Sequence, residues 1–160
     1  MFTNEISLIV YDFDGVMTNN TVLVQEDGTE TVIVNRGDGL GVGIIKSLGF
    51  KQLILSTEEN PVVTARAKKL KLEVIQGSKD KKQSLLNFCK KNNIDINKTL
   101  YVGNDTNDLE VMNVVGFRVA PKDAHYKILK IANKITKAKG GKGVIRELAE
   151  WIENDRSNKK

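Results

Sequence analysis

Tyr11-Asp12-Phe13-Asp14-Gly15-Val16-Met17-Thr18 decides the fold, because it directly follows the apolar run Ile6 to Val10. That run has the length and β-branching of a buried strand. Asp12 and Asp14 then stand at the strand's carboxyl end, Gly15 lets the chain turn away, and Thr18 offers a hydroxyl to backbone donors in the turn. Two carboxylates one residue apart at a strand tip are costly unless a cation or a reacting group uses them. Asp-x-Asp-Gly is also a common turn composition and a fragment of a calcium loop. Counted from Asp12, such a loop would need an oxygen ligand at its fifth position and a glutamate at its twelfth. Those positions hold Val16 and Leu23, which excludes calcium.

Downstream of the turn, Thr21 to Val34 reads as a β-hairpin around Glu26-Asp27-Gly28-Thr29, with apolar residues on both faces. An isolated ribbon of this kind needs cover, which another subunit can supply. Asp38 is placed to cap a helix through Leu40, Ile44, Ile45 and Leu48, and Gly49 closes it. Gln52 to Leu55 is a second buried strand ending in Ser56-Thr57-Glu58, and Asn60-Pro61 opens a helix to about Lys71. The alternation then repeats. A strand at Glu73–Gln76 precedes a helix at Lys79–Lys91, and a strand at Thr99–Val102 precedes a helix carrying Leu109, Val111 and Met112. A strand at Phe117–Ala120 precedes a helix at Ala124–Ala132, and the last helix, Val144–Ile152, follows the Gly140-Gly141-Lys142-Gly143 loop. Strands alternating with helices through short loops predict an α/β fold, a single-domain Rossmann-like open parallel sheet. The domain is expected over 1–153, with a polar tail at 154–160.

The 160 residues suffice for one ordinary core, and 40% hydrophobic with 28% charged residues describes a globular chain. No apolar run is long enough to span a bilayer, and the N-terminus lacks the basic start and cleavage site of a signal peptide, so a cytoplasmic location without membrane partners is expected. Cys89 lies on an amphipathic helix as a small core residue. The net charge of +5 arises mainly from Arg66 to Lys91 and from Lys159-Lys160. No aromatic residue is interleaved with the lysines of 68–82, so these read as a solvated face and no nucleic-acid partner is expected.

In an open α/β sheet ligands bind beyond the carboxyl ends of the strands. Three such ends carry chemistry: Asp12 and Asp14 after the first strand, Ser56 after the second, and Asn104, Asp105 and Asp108 after the fourth. Lys81 lies near the start of the helix after the third. Carboxylates suit Mg²⁺, a hydroxyl and helix-start amides hold phosphate oxygens, and a lysine neutralises charge. The only histidine, His125, follows a different strand and reads as a surface or loop residue rather than as the base of a hydroxyl or thiol nucleophile.

Asp12-Phe13-Asp14-Gly15-Val16-Met17-Thr18, Ser56, Lys81 and Gly103-Asn104-Asp105-Thr106-Asn107-Asp108 together resemble the four ordered motifs of the haloacid dehalogenase superfamily of phosphatases. Arg36-Gly37-Asp38-Gly39-Leu40-Gly41, Gln76-Gly77 and Gly140-Gly141-Lys142-Gly143-Val144-Ile145-Arg146-Glu147 are similar to its small branch without a cap domain. That branch contains the 3-deoxy-manno-octulosonate 8-phosphate phosphatases and the phosphatases of nine-carbon ulosonic acid 9-phosphates. The resemblance implies a phosphomonoesterase in which Asp12 is the nucleophile, Asp14 the acid and base, and Ser56 and Lys81 hold the phosphoryl group. Mg²⁺ would be bound by Asp12, the Asp14 carbonyl and a residue of the fourth motif. That motif commonly begins Gly-Asp-Asp, and here Asn104 stands in the middle place, so either Asn104 is a neutral ligand or Asp105 and Asp108 hold the ion through water.

The octulosonate enzymes typically carry Ser-Gly-Arg in the second-motif loop. Ser56-Thr57-Glu58 with Arg66 is instead similar to the nine-carbon group. Thr57, Glu58 and Arg66, with Arg36, Gly39 and Arg146, are the implied substrate contacts, although Glu58 and Arg66 also fit an ordinary ion pair. The substrate implied is a small phosphorylated sugar acid and the assembly a homotetramer, with the 140–143 loop and Arg146 near a shared opening. Another small sugar phosphate, or a non-catalytic assembly module like the domains fused to sugar cytidylyltransferases, is the alternative.

Overall fold

Leu8–Tyr11 (β1) is buried at every position, and its side chains alternate between two cores. Ile9 and Tyr11 join one cluster and Leu8 and Val10 the other, as the two-residue period of a strand requires when both sheet faces are covered. The computed structural model describes residues 5–157. Around β1 the chain lays down Lys51–Leu55 (β4), Glu73–Ile75 (β5), Thr99–Val102 (β6), Phe117–Ala120 (β7) and Lys134–Ile135 (β8). The sheet order is β5-β4-β1-β6-β7-β8 and every pairing is parallel. β1 is therefore flanked by β4 on one side and β6 on the other, and the strand order reverses there. The crevice beyond its carboxyl end is the expected ligand position.

Helices cover both faces. Arg36–Ser47 (α1), Val62–Leu70 (α2) and Val144–Ser157 (α6) supply the first core, with Val42, Ile45, Val63, Ala67 and Leu148 buried. Lys81–Lys91 (α3), Leu109–Met112 (α4) and Tyr126–Ile131 (α5) supply the second through Leu85, Cys89, Val111 and Ile128. Each fully buried aliphatic side chain contributes about 1.5–3 kcal/mol. The segment between β1 and β4 holds only the hairpin Leu23–Val24 (β2) and Glu30–Thr31 (β3) with α1, and no cap domain is inserted there or between β4 and β6.

Several expectations change. Asp38 does not cap its own helix: Asn35 does, its side chain accepting from the Gly37 amide at 2.7 Å. Asp38 lies inside the first turn and caps α6 instead, its Oδ1 accepting from the amides of Ile145 at 2.9 Å and Arg146 at 3.1 Å. α1 and α6 approach closely because Gly41 has no side chain: a Cβ there would lie 2.7 Å from the Ile145 carbonyl oxygen. α6 also runs to Ser157 rather than ending at Ile152, so most of the expected 154–160 tail is helix, and 158–160, with Lys159-Lys160, lie outside the described residues. Its charged residues Glu153 and Arg156 suit an exposed helical face as well as a tail. β8 was not anticipated. The ribbon, finally, is not uncovered on both faces. Val32 and Val34 pack on the first core, whereas Val22, Leu23, Val24 and Ile33 remain exposed.

Candidate active site

The β1 tip sets the centre. Asp12 is 4% exposed, and its Oδ1 accepts from the Phe13 amide at 2.7 Å and from Lys81 Nζ at 2.7 Å. Lys81 is the first residue of α3, whose N-cap Asp80 accepts from the Gln83 amide at 2.8 Å. This fixes the helix start and drives the lysine inward, where Nζ also donates to Asp108 Oδ1 at 2.8 Å. Burial, then the Asp108 carboxylate, pushes Asp12 up to about 8 against the opposing pull of Lys81. Burial alone would lower Lys81, but the carboxylates of Asp12 and Asp108 more than reverse it and hold the ammonium above its ordinary value. Two buried carboxylates thus share one cation, an excess of negative charge that favours a further cation beside Asp12.

Asp14 is half-buried, and its carboxyl is raised, first by burial and also by the charges of Glu58 and Glu30. Thr18 Oγ1 donates to Asp14 Oδ1 at 3.1 Å and accepts from the amides of Gly15 at 3.2 Å and Asn20 at 3.1 Å. One hydroxyl therefore closes the turn and aims the second carboxylate. Gly15, at φ +82°, is required twice, since a Cβ on it would overlap the Asn104 amide. Ser56, 1% exposed at the tip of β4, accepts from the Glu58 amide at 3.1 Å, which leaves its hydroxyl proton for another acceptor.

At the β6 tip the fourth motif divides. Asp108 is fully buried. Its Oδ1 takes Lys81 and the Tyr101 hydroxyl, each at 2.8 Å, and its Oδ2 takes the Asn104 amide at 2.9 Å and the Asp105 amide at 3.4 Å. It lies behind the cavity, not on its lining, and its oxygens are committed, so the expected ligand role becomes one of positioning Lys81 and the loop. Asp105 lines the cavity and accepts from the Thr106 amide at 2.6 Å. Asn104 Oδ1 is buried with no hydrogen-bond partner, at a cost of about 1–3 kcal/mol unless a bound group engages it. Among the described residues no three acidic, histidine or cysteine side chains converge as a metal site. A cation here would rest on Asp12, a backbone carbonyl and the Asn104 amide oxygen, a hard-oxygen set that fits Mg²⁺.

A cavity of about 460 Å³ opens on this centre and brings together Asp12, Asp14, Ser56, Thr57, Glu58, Asn104 and Asp105. Four expected contacts are elsewhere. Arg66 donates through Nη2 to the Asn35 carbonyl at 3.0 Å, and its pKa is lowered by burial against the opposing effect of Asp38. Gly39 packs beside it, since a Cβ there would meet Leu70 and Arg66 at 3.4 and 3.8 Å. Arg36 is exposed, and Arg146 pairs with Glu150 at 3.2 Å on a separate cavity beside Trp151. Arg66 therefore does not pair with Glu58, whose Oε1 accepts from the amides of Glu59 and Asn60. His125 caps α5, and its amide donates to the Asn104 carbonyl at 2.8 Å, a structural place consistent with its reading as a loop residue. Sequence reasoning missed Tyr101, Glu30 and Asn60. A polar group inside an otherwise apolar strand was the available signal for Tyr101.

The chain matches the haloacid dehalogenase-like hydrolases over residues 45–148, well over half its length. It belongs to that family. A 3-deoxy-D-manno-octulosonate 8-phosphate phosphatase of Yersinia pestis is 30% identical over 148 residues, covering 92% of this chain and 79% of the relative. An N-acylneuraminate cytidylyltransferase of Oncorhynchus mykiss is 27% identical over 151 residues, and there the chain spans only 35% of the relative's length. Among solved structures, a HAD-family protein of Streptomyces avermitilis superposes with a TM-score of 0.91 at 46% identity, covering 93% of this chain and 86% of that one. The 3-deoxy-D-manno-octulosonate 8-phosphate phosphatase of Moraxella catarrhalis, in complex with a magnesium ion, a phosphate ion and KDO, superposes with a TM-score of 0.93 at 30% identity, covering 98% and 91%. No helix among the described residues is long and apolar enough to cross a membrane.

Proposed function

We propose that this hydrolase is a Mg²⁺-dependent phosphomonoesterase acting on a small phosphorylated sugar acid through a phosphoryl group carried on Asp12. The observation that carries the reading is the pair of carboxylates on the β1 tip in different environments. Asp12 Oδ1 is held by Lys81 and the Phe13 amide, which presents Oδ2 as the attacking oxygen. Asp14, aimed by Thr18 and raised in pKa, is placed to give the leaving oxygen the proton it needs. Asp12 Oδ2 forms the new bond to phosphorus as the ester bond breaks, and the Asp14 proton passes to the departing alkoxide. Water then gives a proton to Asp14 and its oxygen to phosphorus, which releases phosphate and restores Asp12. Ser56 donates its hydroxyl to a phosphoryl oxygen, and Lys81 limits repulsion between the dianion and Asp12. Asp12, the Asp14 carbonyl and Asn104 would hold a Mg²⁺ ion, which would supply Lewis-acid neutralisation of the phosphoryl oxygens.

The relatives support an eight- or nine-carbon ulosonate phosphate as substrate, and Ser56-Thr57-Glu58 favours the nine-carbon group. A non-catalytic module is favoured only by the cytidylyltransferase relative, and it is opposed by Asp12, Asp14 and Ser56 lining one cavity with Lys81 paired to Asp12 behind them. Turnover of p-nitrophenyl phosphate with Mg²⁺ and with EDTA separates the two, and kcat/KM across a panel of ulosonate and sugar phosphates ranks the substrates. Metal-independent or absent hydrolysis overturns the reading.

The resemblance implies a homotetramer, and association is supported by the exposed Val22, Leu23, Val24 and Ile33 on a hairpin that borders the cavity. Light scattering is expected to show four subunits, and Leu23→Glu to dissociate them. A wild-type monomer that keeps full kcat/KM at nanomolar concentration rejects the shared site.

A further inference from the structure

Among the described residues the cavity is lined by five carboxylates, Asp12, Asp14, Glu30, Glu58 and Asp105, and by no lysine or arginine. Lys81 answers Asp12 and Asp108 together behind the centre, and within a single chain nothing positive lines the opposite wall. Asp12 and Asp14 are taken up by the phosphoryl chemistry, whereas Glu30 and Glu58 act on it only through the charge they place near Asp14. Glu30 arrives from β3, and its Oε2 accepts from Asn60 Nδ2 at 3.2 Å. Glu58 is tied to the same loop through Oε1, by the amides of Glu59 and Asn60 at 2.8 Å each. Each glutamate is thus fixed by one oxygen and keeps a second that takes no hydrogen bond among the described residues. Asn104 Oδ1, buried and without a partner, belongs to the same lining and marks the cavity as built for a bound group. A phosphoryl dianion offers only acceptors. The complementary donors must come from the organic part of the substrate, as hydroxyls on the carbons nearest the ester oxygen. A carboxylate in the same place would meet two half-buried charges of its own sign.

We propose that Glu30 is a specificity-determining residue, which together with Glu58 accepts hydrogen bonds from the hydroxyl-bearing carbons next to the phosphate and turns away substrates that carry an anionic group there. The proposal rests on the phosphatase reading and narrows its substrate class. A sugar acid is accepted when its carboxylate lies far along the chain from the phosphate, and rejected when the two are close.

Erythritol 4-phosphate and 4-phosphoerythronate differ only in a terminal hydroxymethyl against a carboxylate, so their kcat/KM ratio reads the proposal directly. Wild type is expected to favour erythritol 4-phosphate by roughly tenfold, and Glu30→Gln to reduce that preference to within about threefold. The Gln side chain can still accept from Asn60, so loss of the preference reports charge rather than loss of the latch. Glu30→Ala removes both. If Glu30 only anchors the hairpin, Glu30→Ala slows both compounds in equal proportion and Glu30→Gln keeps the wild-type ratio, which overturns the proposal. Calorimetric binding of the same two compounds gives the same ratio without turnover. Failure of wild type to hydrolyse p-nitrophenyl phosphate with Mg²⁺ refutes the phosphatase reading alone, and the binding ratio still decides the role of Glu30.

Discussion

The back and the front of the cavity are built from the same kinds of residue in opposite ways. Behind Asp12, Lys81, Asp108 and Tyr101 are buried and interlocked, the lysine with two carboxylates and Asp108 with four donors. In front, Asp14, Glu30, Glu58 and Asn60 are half-buried and stand on loops or on a strand of two residues. The back is carried by β1, α3 and β6, elements whose positions the sheet dictates. The contrast teaches that the charges of the buried back are fixed by the scaffold, while the front wall stands on segments able to vary without disturbing it.

Breaking the back should therefore cost most. Asp12→Asn is expected to bring Mg²⁺-dependent turnover to background with the fold intact by circular dichroism, and appreciable residual activity would remove Asp12 from the role of nucleophile. Asp14→Asn stands where the two walls meet, and a fall in kcat of roughly 10²–10⁴-fold is expected from loss of the proton donor. Because the first step needs Asp14 protonated and its pKa is raised, wild-type kcat/KM should decline as pH rises through that value. A pH–rate profile for Asp14→Asn that keeps this limb would assign the proton to another group. Lys81→Met leaves Asp12 and Asp108 buried without a cation, so stability should fall by about 3–5 kcal/mol in urea denaturation, and a loss below 1 kcal/mol would show the back to be less interlocked than its distances indicate. At the front, Glu58→Ala is expected to lower kcat/KM for ulosonate phosphates by about tenfold, with a smaller loss on p-nitrophenyl phosphate. Equal losses on both would erase the distinction between the two walls.

The parts of the site readable in the sequence are those that chain-local spacing encodes. Asp12 and Asp14 follow an apolar run, Ser56 ends a second, and the 103–108 loop ends a third, so their convergence follows from parallel pairing alone. Thr18 was legible as a turn residue, though its bond to Asp14 was not. What escaped depends on distance in the chain. Asp38 looked like a local cap, because capping residues normally serve their own helix, yet its partners lie 107 and 108 positions on. Arg66, a substrate contact implied by the resemblance, lies outside this cavity within a single chain, where its Nη2 donates to the Asn35 carbonyl. Glu30 went unnoticed because a two-residue strand is too short to show which face it presents, and β8 went unread for the same reason.

The bonds from Asp38 tie the last helix to α1, and the bond from the Gly141 amide to the Val16 carbonyl, at 3.0 Å, ties its leading loop to the turn that holds Asp14. A nascent chain therefore makes its catalytic turn first and completes it last. With synthesis at about 5–20 residues per second, the turn waits several seconds at least for residues 140–146, and then for their exit from the ribosome. A chain arrested at Lys139 would carry Asp12, Asp14, Ser56, Lys81 and Asn104 and still lack the Gly141 amide that holds their turn.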